Sequence, residues 1–326
     1  MMPVEDLWWR RVPTAERMVK NTRDDLLDGR SVQVFPDMVW KESFINLVLT
    51  KVQNIDAGVA DIVFDGASLN QNTSLIDNIA EQIGFGFNFD GTLKTLVEHL
   101  QINSGYIWRM QGLCGRHLKE AHQMIKELAK QKAHIAVLLE DDTQIQVKSL
   151  FQIKLNPTRM DIHYFAWTML LEQDEVPLLE YAAILCEELC YGDLNRCAML
   201  CDRIHDLMKD ASSVCDWLTA EEVQKAVHIA QLRGIQPVIE EQRLAFIDRL
   251  GHRIDRILPF SDEYQSQFTK PQEVELRHLI YYRHDLSLSP EELALLNKLH
   301  DARNDLSHLR ILTESVVKEL AELSGR

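Results

Sequence analysis

Arg303, Asn304 and His308 fall together in HDARNDLSHLRIL, residues 300–312. Their types suit phosphate chemistry. A histidine moves protons near neutral pH. An arginine holds a phosphate in fixed geometry and stabilises developing charge. At helical pitch Asn304 and His308 are four apart and share a face, while Arg303 lies about 140° round from His308. Its long side chain can still reach the same pocket, above all across a dimer interface. Asn304 is a poor helix-interior residue unless its amide bonds a neighbour. Together these are groups for metal-independent RNA cleavage, in which a 2′-hydroxyl attacks the adjacent phosphate. Asp301 and Asp305 flank Arg303 and could orient it or merely solubilise the helix.

Other constellations carry less chemistry. Cys186, Cys190, Cys197 and Cys201 form two i, i+4 pairs, with His205 four further on. Two such pairs on facing helices could hold zinc, but the same cysteines and Met208 also make one apolar stripe, and core packing is the expectation. His117 and His122 are five apart and do not share a face well, so no metal pair is expected there. No metal and no cofactor are expected anywhere. Cys114 and Cys215 have no evident histidine partner. Asp248 and Asp255 interleave with Arg249, Arg253 and Arg256 as a solvated, salt-bridged face.

The elements that must position these residues divide into two parts. Residues 1–160 read as α/β. Residues 1–29 read as one amphipathic helix behind an apolar lead containing Trp8 and Trp9, capped by Thr14 and stopped by Gly29. SVQVF (31–35), DIVFDG (61–66), HIAVLLEDD (134–142) and FQIKL (151–155) read as strands, and GYIWRM as a loop or short strand. Helices are expected over Lys41–Gln53, after Ser74 or Thr73, over TLKTLVEHLQ and over 113–131, with Gly84, Gly86 and Gly91 breaking the pattern. From 161 to 326 only helices are expected. Thr219 with Glu222 three later marks one start, Ser289 or Pro290 another, and Thr313 the last. A long helix is expected over 235–258, and a polar loop over 259–272.

The strand–turn–helix at 31–53 resembles the opening of a P-loop NTPase domain, with the apolar strand ending in Glu140, Asp141 and Asp142 resembling the strand whose acid positions magnesium. The turn Pro36, Asp37, Met38, Val39, Trp40, Lys41, Glu42, Ser43 contains no glycine, however, and its acids would repel phosphate. The buried strand is expected to end at solvent, with the acids capping the next element. The first part is therefore similar to a degenerate AAA/STAND-type P-loop domain. Arg303, Asn304 and His308 match the arginine, polar residue, three more, histidine pattern of the HEPN superfamily, whose members are helical bundles that usually dimerise. That resemblance covers about residues 175–326. It implies a composite, metal-free site in which Arg303 binds the scissile phosphate, His308 moves the proton and Asn304 orients them.

The combined layout resembles prokaryotic antiviral defence or toxin–antitoxin effectors, so the expected function is a metal-independent endoribonuclease, acting on an RNA substrate as a homodimer or with a protein partner. The alternative is a non-catalytic interaction or regulatory protein that keeps both folds as scaffolds. A net charge of -15 excludes broad, non-specific DNA binding, which needs a basic face. Even from Arg256 onward there are nine Lys/Arg against twelve Asp/Glu, so the candidate site sits in acidic surroundings. Glu5 and Asp6 stand where a leader would need an apolar run, and no apolar stretch approaches a membrane span. With six cysteines read as free thiols, a cytoplasmic protein is expected.

Overall fold

The computed structural model describes residues 2–85, 89–100, 105–131, 134–143, 149–173 and 176–324. Gly86 and Gln101 lie outside them. The chain divides into two compact units, Met1–Pro157 and Thr158–Arg326.

The first unit runs α1 (Val4–Arg11), α2 (Pro13–Leu27), β1 (Ser31–Val34), α3 (Lys41–Ile55), β2 (Ala60–Asp65), α4 (Leu75–Gln82), α5 (Leu93–Leu100), β3 (Tyr106–Gln111), α6 (Gly115–Gln131), β4 (Ile135–Glu140) and β5 (Leu150–Ile153). Its five strands form one sheet in the order β2-β3-β4-β1-β5, every pairing parallel. This agrees with the expected α/β domain. β1 and β4 are buried along their whole length, as strands covered on both faces must be. One face packs Phe64, Trp108, Met110, Val137 and Leu139 into a core with Ile79, Leu96 and Ile125.

The first 29 residues are two helices, not one. Val12 is extended and Pro13 opens α2, because a proline is tolerated in a helix only in its first turn. Val12, not Thr14, is therefore the N-cap of α2. Trp8 and Trp9 lie inside α1 and are buried, not in an irregular lead. Gly29 ends α2 at φ 72.

The second unit is helical: α7 (Arg159–Leu171), α8 (Leu179–Leu189), α9 (Leu194–Asp202), α10 (Ile204–Lys209), α11 (Ala211–Val214), α12 (Ala220–Gly234) and α13 (Gln236–Leu250), then a small hairpin β6 (Phe260–Ser261) and β7 (Gln267–Phe268), and α14 (Leu276–Tyr281), α15 (Pro290–Ser307) and α16 (Glu314–Ser324). Thr219 with Glu222 and Ser289 with Glu292 form the capping boxes that start α12 and α15. The long helix expected over 235–258 stops at Leu250, where Gly251 takes φ 52 and a 3-10 turn follows. The polar loop expected over 259–272 contains the hairpin. Among the described residues no helix is long and apolar enough to cross a membrane.

A buried acid ties α7, α8 and α12 together. The Glu187 side chain is 1 % exposed and meets Arg233 at 2.9 Å, His163 at 3.1 Å and Arg159. Burial alone would raise its carboxyl, but the hydrogen bonds from His163, Arg233 and Arg159 outweigh that and hold it at about 2, against an ordinary 4.5. The folded state therefore keeps this stabilisation in full above pH 4.5 and loses it as pH falls toward 2. The expected loss across that window is on the order of 3 kcal/mol. Denaturant titrations at stepped pH check it, and Glu187→Gln should flatten that acid limb.

Close packing sets a second test. A Cβ on Gly234, at the end of α12, would lie 2.7 Å from the Tyr181 Cα of α8. Alanine gains up to about 1 kcal/mol of helix propensity, but forcing the two backbones apart costs about 1–3 kcal/mol. Gly234→Ala is expected to lower stability, read as a fall in denaturation midpoint.

Candidate functional site

An open parallel sheet takes ligands beyond the carboxyl ends of its strands, where neighbouring strands send their connections opposite ways. Here that point lies between β1 and β4. From β1 the chain crosses β4 and β3 to reach β2, while from β4 it crosses β1 to reach β5. The last residues of the two strands, Val34 and Glu140, are in register.

This crevice is filled by the chain itself. Lys41, the first residue of α3, places its Nζ 2.6 Å from Glu140 Oε2. The side chains are 20 % and 6 % exposed, so the pair is largely out of water. Burial would lower the Lys41 ammonium, but its bond and attraction to Glu140 more than offset this and raise it. Behind the pair, charges alternate across the sheet. Lys41 also meets Glu42 at 3.5 Å, Glu42 meets Arg109 at 3.8 Å, and Arg109 meets Asp61 at 3.9 Å.

The turn before α3 keeps its own amides. The Met38 N–H donates to Phe35 O at 3.1 Å and the Lys41 N–H to Met38 O at 3.2 Å. Trp40 takes the left-handed conformation, φ 54, which suits glycine and strains a bulky residue. Aromatic packing holds it there. Trp9 Nε1 donates to Trp40 O at 3.2 Å, and the Trp8 ring lies 6.4 Å from that of Trp40. The spacing GxxxxGK[ST], counted back from Lys41, puts Phe35 and Trp40 at the glycine positions and Glu42 at the hydroxyl position. The Ser43 hydroxyl donates to Asp6 at 3.0 Å.

The three acids after β4 take separate roles. Glu140 holds Lys41. Asp141 is buried, 3.3 Å from His122 Nε2, and accepts from the Thr143 hydroxyl. Burial lowers the His122 imidazole, and Asp141 pulls it only part of the way back. Asp142 is exposed, the one acid of the three that ends the strand at solvent. His117 bonds Thr73 O at 3.0 Å. Lys41 and His122 are the participants that spacing alone did not pair, since their partners lie far away in the chain.

In the helical unit, Arg303, Asn304 and His308 each take a different neighbour. Arg303 lies 3.5 Å from Glu240 and 3.6 Å from Glu275, not between Asp301 and Asp305. Asp305 instead meets Arg310 at 3.3 Å. Asn304 Nδ2 sits 3.3 Å from the His300 ring, and His308 is the exposed C-cap of α15. The stretch is anchored by α12. His228 Nε2 bonds Leu306 O at 2.9 Å, and Gln231 bonds both Leu312 O (2.9 Å) and Leu312 N (2.8 Å). Cys186, Cys190, Cys197 and Cys201 are free and fully buried, and burial contributes to raising the Cys197 and Cys201 thiols well above their usual range. No group of three or more metal-ligating side chains occurs among the described residues.

No family model matches the sequence, and neither does any curated protein. Among solved structures, the chain aligns with the Aeropyrum pernix ORC2 protein in its ADPNP–ADP complexes at 13% identity, covering 98% of each chain, with TM-score 0.35. It aligns with a Thermotoga maritima RuvB variant at 10% identity, over 86% of this chain and 81% of that one, TM-score 0.35. A chain of the Drosophila ORC structure bound to GC-rich DNA and Cdc6 aligns at 8% identity over 98% and 70%, TM-score 0.37. Likeness at this level is too loose to carry activity or residue roles to this chain.

The crevice pair is testable by a double-mutant cycle. Lys41→Met leaves a buried carboxylate unpaired and should cost about 3 kcal/mol, as Glu140→Met should by stranding the ammonium, whereas Lys41→Met combined with Glu140→Met should cost much less. Urea denaturation of the two single variants and the double variant reads this. A double-variant loss equal to the sum of the two single-variant losses would mean the pair carries no coupling.

Proposed function

We propose that this chain is a non-catalytic interaction or regulatory protein whose α/β unit serves as a scaffold with its phosphate crevice closed. The observation that carries this reading is the Lys41–Glu140 ion pair at 2.6 Å. It engages the lysine that a phosphate would need and the acid that a magnesium ion would need. The amides of Met38 and Lys41 are bonded within the turn, and Glu42 places a negative charge at the α3 N-terminus, where an anion would otherwise be favoured.

The ribonuclease reading has one observation in its favour, the exposure of His308. Arg303, its expected phosphate ligand, is held by two carboxylates, Glu240 and Glu275, which neutralise it. The non-catalytic reading is therefore preferred, with RNA, a homodimer mate or another protein as the partners to be distinguished.

Two measurements on the full chain decide between them. Calorimetric titration with ATP and magnesium should give no binding, and micromolar binding would overturn the closed crevice. Incubation with single-stranded RNA in a chelator should leave the RNA intact. Cleavage that disappears in a stably folded His308→Ala variant would establish the ribonuclease instead.

A further inference from the structure

Strand β6, the turn after it and helix α14 line an open cavity of about 410 Å³. Its construction is aromatic. Phe260 and Phe268 oppose each other across the hairpin with rings stacked at 4.9 Å and 13°. His278 stands edge-on to both, at 5.1 and 4.5 Å. Its Nδ1 accepts from the Glu275 N–H at 3.3 Å, so Nε2 carries the hydrogen. Nε2 is buried without an oxygen or nitrogen partner and is left to the aromatic faces around it. Tyr282 continues the wall 5.0 Å from Phe260, and Tyr281, 74% exposed, stands perpendicular to it at 4.9 Å.

The charges at this cavity are unequal in availability. Arg277 is already engaged by Asp262 at 3.1 Å and Glu275 at 3.2 Å, and its guanidinium lies over the Tyr264 ring at 5.7 Å. Asp262 is nearly buried, and its other oxygen accepts from the Tyr264 and Ser266 amides, which fixes the hairpin turn. Glu263 is exposed and has no ion-pair partner among the described residues. The charge left for a ligand is therefore negative, and it stands beside ring faces whose quadrupoles also attract cations. An anion would meet Glu263 and find Arg277 neutralised. A neutral apolar ligand would leave the carboxylate unused.

From this we infer that the cavity lined by Phe260, Tyr281, Tyr282 and Glu263 binds the head group of an organic cation, an ammonium or a guanidinium. Its volume accommodates such a group with several attached carbons. Arg303 is a positioning residue for it. Through Glu275, which it meets at 3.6 Å, it braces Arg277 and hence Asp262 and the hairpin. The inference uses no part of the crevice between β1 and β4.

Titration of the full chain, followed by ligand-observed NMR, tests it with four probes: choline, its neutral isostere 3,3-dimethylbutan-1-ol, N-acetylarginine amide and acetate. The two cations should bind saturably, and the neutral isostere and acetate roughly tenfold more weakly or not at all. Tyr281→Ala and Glu263→Gln should each weaken choline by roughly fivefold. Both positions are exposed, so an unchanged denaturation midpoint confirms that the fold is kept. Arg303→Ala should also weaken binding, while His308→Ala, outside the cavity, leaves it unchanged. A short peptide carrying trimethyllysine distinguishes the source: tighter binding than choline marks a polypeptide side chain, and equal binding a free small cation. Equal binding of choline and the neutral alcohol, or no effect of Tyr281→Ala and Glu263→Gln together, overturns the proposal.

Discussion

Charge taken out of water has to bring its partner with it, and both units are arranged around that constraint. Glu187 shows it in the helical unit. The acid is almost wholly buried, and it is held ionised by Arg159 and Arg233, which reach it from two other helices. Helices α7, α8 and α12 are thereby set at one mutual spacing, with Gly234 permitting the close approach to Tyr181. Gln231 obeys the same rule for amides. Both ends of its side chain are bonded to the backbone of Leu312, which holds the link between α15 and α16. The polar groups do more than stabilise. They remove alternatives, since any displacement would strand one of them.

In the α/β unit the same constraint accounts for the closed crevice. A nucleotide site of the P-loop kind leaves a lysine and an acid apart until phosphate and magnesium join them. Here the two are joined already. Phe35 and Trp40 stand where the P-loop spacing would call for glycines, and the strained conformation at Trp40 is held by the packing of Trp8 and the hydrogen bond from Trp9. Substituting glycine at Trp40 alone would relieve backbone strain but leave the amides bonded within the turn and Lys41 on Glu140.

The strands and most helix starts were legible because they depend on near neighbours. Residues 135–139 are an unbroken apolar run, and caps such as Thr219 with Glu222 are local reciprocal bonds. What was not legible depends on distance. Lys41 and Glu140 are 99 positions apart, and His122 and Asp141 are joined only once α6 lies beside β4. The break at Val12–Pro13 was missed because the apolar spacing continues across it. The hairpin at Phe260 and Phe268 was missed because its two-residue strands are too short to show an alternation.

The stretch 300–312 illustrates how a chemical pattern and a packing pattern coincide. Arginine, asparagine and histidine near a helix end are what a phosphate site needs. They are equally what a helix end needs, because asparagine and histidine suit caps and an arginine can reach carboxylates on adjoining helices. Availability separates the two. An arginine that must grip phosphate has to be free of carboxylates or lose them on binding, and Arg303 has two, on α13 and just before α14. Freeing it would leave Glu240 to Arg243 and Glu275 to Arg277, and would slacken the bracing of the aromatic hairpin. Using Arg303 as a catalyst would thus draw on the contact that braces the hairpin, so on this geometry the two roles compete within one protomer.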